Sequence, residues 1–281
     1  MPGALVLVAT PIGNLEDMTL RGLRALREAD LIAAEDTRRT AKLLSHFGIA
    51  TPTVSLHQHN ERRRVPDLIE RVRRGQRVAV VTDAGMPSVS DPGYEIVTAG
   101  LTAGVPVEIV PGVSALTTAL TGAGLPTETV TFVGFPPSKV GERARWLARW
   151  SGVPGILVLF EAPHRLHATL SAALEALGDR PAVVAHELTK IHESWHRATL
   201  SVLIAHEGLP KKGEFTILIG PRLEDVEASQ TPPSQVGSEF GQMTNSGGFS
   251  RKKAIAELAK RHGLRKREVY AMVEAAKHSG K

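Results

Sequence analysis

A stiff, glycine-bearing loop and an acidic run are the stretches of this chain whose residue types could hold a ligand and move a proton. Residues 78–81, Val-Ala-Val-Val, form a β-favouring apolar run that ends in Asp83, Gly85, Pro87, Asp91, Pro92 and Gly93. Gly85 lets backbone come close to a ligand, the prolines stiffen the approach, and Asp83 and Asp91 place two carboxylates around the turn. Polar loops at strand ends also serve merely to turn and cap, but they are where α/β proteins put their function. Glu35-Asp36-Thr37-Arg38 is delivered in the same way by the short apolar run 31–34, and His57 by the run 54–57.

Alternating elements must position these groups. Residues 4–9, 31–34, 54–57, 78–81 and 107–110 read as strands, and the helical spacing of Leu20, Leu23 and Leu26, then of Val65, Leu68, Ile69 and Val72, places helices between them. Strand–helix alternation of this kind means an α/β fold with a mainly parallel sheet. A second series begins after Gly124, with strands near 130–133, 156–160, 182–186, 193–198 and 215–219, whose short turns predict a mixed sheet. The expected organisation is an α/β domain over 1–123, another over 124–222, a flexible Ser/Gln/Pro/Gly-rich linker over 223–249 and a basic two-helix segment over 250–281.

Composition removes several classes. Zero cysteines exclude thiol catalysis and thiolate metal sites, and His186, His192 and His196 have no fixed ligand spacing, so no metal is expected. No Walker A sequence is present, and Gly112-Val113-Ser114 lacks the second glycine of a nucleophile elbow. The absence of a long apolar run and of a signal peptide leads to an expectation of a cytoplasmic protein with no membrane partner. The net charge of +5 is uneven: residues 251–281 carry ten Lys/Arg against three Glu, a balance of +7 that leaves −2 for residues 1–250. Basic charge concentrated at one end points to a polyanion partner, with an ordinary solubilising tail as the alternative.

Five motifs in order, Ala9-Thr10-Pro11-Ile12-Gly13-Asn14-Leu15, Ala34-Glu35-Asp36-Thr37-Arg38, Asp83-Ala84-Gly85 through Asp91-Pro92-Gly93-Tyr94, Pro111-Gly112 with Ser114-Ala115, and Glu161-Ala162-Pro163-His164-Arg165, resemble the RsmI type of small-subunit ribosomal RNA cytidine 2′-O-methyltransferases. That type lies within the tetrapyrrole methylase superfamily, and the likeness runs over about residues 5–220. It implies a two-domain fold with S-adenosylmethionine in the cleft, 16S ribosomal RNA of the small subunit (decoding region) as substrate, and a homodimer. By position, Pro11, Asp83, Ala84, Gly85, Pro87, Ser114, Ala115, Glu161, Ala162, Gly213, Glu214 and Phe215 would meet the cofactor. Met86, Ser88, Val89 and Val113 depart from the residues the resemblance leads one to expect, which touches loop packing and leaves the Asp, Gly and Pro framework intact.

Transfer to a ribose hydroxyl needs in-line alignment and a proton acceptor. Glu35, Asp36, His57, Glu187 and Lys190 are the candidates; Lys190 would need a lowered pKa, and Glu35 and Asp36 have a second reading as caps of the following helix. Arg38 and Arg165, inside rim motifs, and Arg251, Lys252, Arg265, Lys266 and Arg267 on the helix-turn-helix-like tail are the expected RNA contacts. Two rival functions stay open: a small-molecule, tetrapyrrole-type methyltransferase of the same fold, and a non-catalytic nucleic-acid-binding protein.

Overall fold

The structure, a computed structural model, describes residues 2–90, 92–222, 233–262, 264 and 266–278. Asp91, Arg265 and residues 223–232, on which parts of the sequence reading fall, lie outside the described residues. The first sheet has the order β3-β2-β4-β1-β5, with strands β1 (Ala4–Val8), β2 (Leu31–Ala34), β3 (Thr53–Ser55), β4 (Arg77–Val81) and β5 (Val107–Val110). Every pairing in it is parallel, so all its carboxyl ends lie on one edge.

Helices cover both faces because the strands alternate. Ala4, Val6 and Val8 of β1 join the core under α1 (Leu20–Glu28) and α2 (Thr37–His46), while Leu5 and Leu7 point the other way, towards α3 (Glu61–Arg73) and Ile96 of α4 (Tyr94–Thr102). The spacing of α3 delivers its predicted face, with Val65, Leu68, Ile69 and Val72 all buried. In α1, Leu23 and Leu26 are buried, but Leu20 is 85% exposed. Leu20 directly follows the cap Thr19, whose hydroxyl accepts from the Gly22 N–H, and at that first position its side chain faces away from the sheet.

The second sheet has the order β6-β7-β10-β8-β9, from β6 (Val130–Gly134), β7 (Ile156–Glu161), β8 (Pro181–His186), β9 (Ser194–Thr199) and β10 (Phe215–Ile219). Only β6 and β7 run parallel; the other three pairings are antiparallel, as the short turns predicted. One face is covered by α6 (Val140–Ala148), α7 (Leu166–Leu177) and α8 (Leu200–Ala205). The other face receives α5 (Ala115–Ala123), whose Ala119 and Ala123 are buried with Ile156, Val158, Val183 and Leu218. Ile12, from the loop after β1, joins that same cluster, so this core ties the two sheets together.

The C-terminal region differs from the expected linker and helix pair. Residues Pro233–Asn245 form a helix, α9, that packs with α10 (Arg251–Arg261) and α11 (Lys266–His278). Val236 and Phe240 are buried with Ala254, Leu258, Val269 and Val273, and Met243 packs at the margin. Three apolar residues spaced by four and three supply enough of a stripe to fold a segment whose overall composition reads as a linker. Among the described residues no helix is long and apolar enough to cross a membrane.

Candidate active site

One cavity of about 300 Å³ lies where the carboxyl edge of the first sheet meets the second sheet. The first sheet contributes Ile12, Glu35, Arg39, residues 83–86, Val89 and Ser90, and the start of α5 adds Ser114 and Ala115. Across from them stand Phe135, Phe160, Glu161, Leu188, Glu214, Phe215 and Thr216.

The loop after β4 is fixed by backbone and carboxylate together. Thr10 and Gly85 exchange two N–H to C=O bonds of 2.9 Å, which pins the loop after β1 to the loop after β4. The Asp83 N–H donates to Glu35 (3.1 Å) and the Asp36 N–H donates to Asp83 (3.1 Å), so adjacent strand ends are laced reciprocally. Arg39 pairs with the other Asp83 oxygen at 3.3 Å. Beyond this, the backbone is strained: Ser88 and Ser90 have φ of 70° and 67°, and Glu187 and Thr189 have φ of 49° and 66°. These four are the non-glycine residues with positive φ among the described residues, and all lie in the two loops that flank the cavity. Left-handed serine, glutamate and threonine cost energy, and such residues gather where geometry serves a ligand.

The second sheet supplies a more rigid wall. Glu161, at the end of β7, is buried; one carboxylate oxygen accepts from Arg165 (2.7 Å) and the Ala162 N–H (2.8 Å), the other from Thr169 (2.5 Å). Phe215 at the start of β10 lies opposite both Glu161 of β7 and His186 of β8 in the strand register. The antiparallel pairing thereby brings a strand beginning and two strand ends to one edge. Phe160 stacks edge-on with Phe135, their centroids 5.6 Å apart.

At the flank, Lys190 holds Glu187 (2.8 Å) and Glu214 (2.9 Å). Burial works against the Lys190 charge, yet hydrogen bonds to both carboxylates hold its pKa above the ordinary lysine value. Burial likewise opposes ionisation of Glu187, and the Lys190 ammonium and the Glu214 N–H outweigh it, keeping that carboxyl below its ordinary value. Gly13 sits against this turn, where a Cβ would collide with the Lys190 side chain and crowd the Leu188 carbonyl, so the loops of the two sheets meet here too.

The sequence profile of the Tetrapyrrole (Corrin/Porphyrin) Methylases matches residues 4–204. The chain belongs to this tetrapyrrole methylase family. Within it, the chain is 43% identical over 279 residues to the ribosomal RNA small subunit methyltransferase I of Halalkalibacterium halodurans, covering 95% of this chain and 93% of that one. The protein of the same name from Synechocystis is 42% identical, with 96% and 97% covered. Among solved structures, uroporphyrin-III-C-methyltransferase from Thermus thermophilus superposes with a TM-score of 0.55 at 25% identity, over 78% of this chain and 94% of that one. The methyltransferase CobJ has the same fold, with a TM-score of 0.60 at 18% identity over 79% and 95%.

The family member uses S-adenosylmethionine, and the cavity's make-up fits that group. Of the carboxylates that line it, Asp83 is paired with Arg39, Glu161 with Arg165 and Glu214 with Lys190, while Glu35 has no ion-pair partner among the described residues; the apolar Ile12, Met86, Val89, Phe135, Phe160 and Leu188 stand beside them. Carboxylates suit a cation, and apolar walls suit a nucleoside base.

The cavity collects Glu35, Asp83, Ala84, Gly85, Ser114, Ala115, Glu161, Glu214 and Phe215 from the residues expected by sequence. Pro11, Pro87, Ala162 and Gly213 do not line it, although each adjoins a residue that does. Of the five proton-acceptor candidates, only Glu35 faces the cavity. Asp36 instead caps α2: it accepts from the Arg38 N–H and from the Arg38 guanidinium at 2.8 Å, bonds that lower its pKa to about 2. His57 follows the edge strand β3, where its ring neighbours Asn60 at 3.2 Å, away from the cavity. Lys190 is held charged, the opposite of what a lysine base requires.

Arg165 also differs from its expected part. Its guanidinium is bonded to Glu161, Pro136 and Ser138, so it braces the β7 end rather than reaching outward. Arg251 is engaged with Glu274 and lies over the Tyr270 ring, whereas Lys252, Lys266 and Arg267 are exposed. The lining residues that sequence reading did not single out, Phe135, Phe160, Leu188 and Thr216, are ordinary apolar or β-branched residues at strand ends. Their signal was position alone.

Proposed function

We propose that this protein transfers a methyl group from S-adenosylmethionine to the 2′-hydroxyl of a cytidine in the 16S RNA of the small ribosomal subunit. The observation that carries the reading is the convergence of Asp83–Gly85, Ser114–Ala115, Glu161 and Glu214–Phe215 of both sheets on one cavity, in a chain so similar to the small subunit methyltransferases. When bound, S-adenosylmethionine supplies a methyl already activated on a sulfonium, so alignment furnishes much of the acceleration. The 83–85 loop and the α5 start would hold the donor from one side, and the Glu161–Phe215 edge would exclude water from the other. Glu35 would take the hydroxyl proton: its Oε2 is occupied by the Asp83 N–H, which fixes the carboxylate and leaves Oε1 for the acceptor.

The remaining assignments belong to the same proposal. Arg38 and Arg39 at the rim and Lys252, Lys266 and Arg267 on the C-terminal helices would contact RNA phosphates, the protein would act as a homodimer, and it would work in the cytoplasm with its substrate. The test incubates the protein with labelled S-adenosylmethionine and three acceptors: small-subunit particles, naked ribosomal RNA and a precorrin-like tetrapyrrole. Label on a cytidine ribose is the expected result. Label on the tetrapyrrole, or on no acceptor despite tight cofactor binding, would favour the rival small-molecule or non-catalytic reading.

A further inference from the structure

A second cavity, of about 150 Å³, adjoins the first on the α2 side. It is lined by Thr10, Pro11, Leu15, Arg39, Thr40, Lys42, Leu43, Thr82 and Asp83, and it shares Arg39 and Asp83 with the donor cavity. The Arg39–Asp83 ion pair is thus the wall common to both. We propose that this second cavity is the acceptor subsite, which takes the ribose-phosphate of the target nucleotide. The inference rests on the reading of the protein as an RNA methyltransferase and assigns where its acceptor binds.

Three features point to a sugar-phosphate. Arg39 and Lys42 lie three residues apart on α2, so both cations stand on one face of the helix, and Lys42 has no ion-pair partner among the described residues. Two cations beside a small cavity that also carries Thr10, Thr40 and Thr82 are what a phosphodiester and its sugar require. Thr82, 2% exposed, lines the same cavity with a hydroxyl that finds no hydrogen-bond partner. A buried hydroxyl left unmatched has a standing energetic cost, which a ribose hydroxyl or phosphate oxygen would remove. The volume also decides between substrates. It falls below the roughly 300–1,000 Å³ of pockets that engulf a whole drug-sized ligand, so it suits one sugar-phosphate unit of a longer chain rather than a macrocycle.

Pro11, Leu15 and Leu43 form the apolar part of the lining, and Leu15 is 38% exposed. With the phosphate seated here, release of the Arg39–Asp83 pair would open this cavity to the donor, so that the 2′-hydroxyl can approach the methyl in line. Arg39 is therefore a positioning residue for both cavities, able to exchange Asp83 for the incoming phosphate.

Lys42 and Thr82 line only the second cavity, which makes the test selective. Methyl transfer to small-subunit particles is measured for the unaltered protein and for Lys42→Ala, Lys42→Arg and Thr82→Val, at several salt concentrations, and S-adenosylhomocysteine affinity is measured separately by calorimetry. Lys42→Ala should raise KM for the particles roughly tenfold, the size of one charge-assisted contact. It should also flatten the dependence of log KM on log salt by about one. Lys42→Arg should restore most of the affinity. Thr82→Val should raise KM severalfold without lowering Tm, because a purely structural hydroxyl would move Tm and leave KM alone. Unchanged KM and salt slope in both Lys42→Ala and Thr82→Val would overturn the subsite, as would a matching loss of S-adenosylhomocysteine affinity. If the unaltered protein methylates no particle, the proposed function itself fails, an outcome distinct from active variants with wild-type KM.

Discussion

The two sheets bring residues to the same cavity by different geometry. In the first, every strand is parallel, so function sits in the loops beyond the carboxyl ends, and those loops are held by N–H to carboxylate bonds between Glu35, Asp36 and Asp83. In the second, antiparallel register places Glu161, His186 and Phe215 side by side within strands, and the wall is locked by the buried Glu161–Arg165 pair. The first side is half-exposed and free to answer a ligand. The second is a scaffold whose charges are already satisfied. A cavity shared by two sheets can divide its labour, with recognition on the loop side and shape on the strand side.

The sharpest way to break that division is Glu161→Ala. The Glu161 side chain is fully buried, and its removal leaves the largely buried Arg165 guanidinium without its carboxylate and the Thr169 hydroxyl without its acceptor. Removing one member of a buried pair costs about 3–5 kcal/mol, so thermal and denaturant unfolding should show a large loss of stability. A loss below about 1 kcal/mol would mean that the second wall is not the rigid one.

Much of this arrangement was legible, for reasons that explain the exceptions. Strand ends at Ala34, Val81 and Val110 were marked by apolar runs stopping at Glu35, at Thr82-Asp83 and at Pro111, and the parallel rim followed from strand–helix alternation. What sequence could not resolve was direction. Arg38 and Arg165 look alike in a rim motif, yet one is 88% exposed at its side chain and the other is folded back onto Glu161 four residues earlier. Phe135 and Phe160 carry no chemistry of their own, so only the meeting of β6 and β7 ends at the cavity reveals them. In α9, polar composition concealed the stripe of Val236, Phe240 and Met243, which becomes apolar surface only when α10 and α11 supply its partner.

Asp83→Asn sharpens the loop side of the comparison. The amide keeps an oxygen for the Asp36 N–H but loses the charge that holds Arg39, an ion pair whose arginine is 66% exposed at its side chain. Exposed pairs contribute about 0–1 kcal/mol, so unfolding should barely change. S-adenosylhomocysteine affinity measured by calorimetry should nonetheless fall about tenfold, the size of the charged contact to the ligand that the proposed function gives Asp83. A variant that unfolded readily and bound the ligand normally would reverse the roles of the two sides.

The smallest effects separate the two sides by pH. Asp36 has a folded pKa of about 2 against an ordinary 3.8, the Arg38 side-chain hydrogen bond being the largest cause, so its contribution to stability is complete above about 3.8 and disappears as pH falls through about 2. Arg38→Ala should move the Asp36 titration, followed by carbonyl NMR, part of the way back towards 3.8 and take the side-chain share of that acid-limb contribution away, the backbone N–H bond remaining. Across the cavity the signs come in a pair. Glu187 is depressed, so its share is present above its unfolded value of 4.5 and fades as pH falls through the lower folded value, while Lys190 is raised, so its share is present below 10.5 and fades as pH climbs through the higher folded value. Lys190→Met removes the lysine's share outright and releases Glu187 from the hydrogen bond and charge that depress it. Its unfolding midpoint should therefore fall below that of the unaltered protein across the neutral range, with the gap narrowing towards both acid and alkali. A gap that stayed constant from acid to alkali would show that the 187–190 turn is held by its backbone bonds alone, and that the strand side owes nothing to these charges.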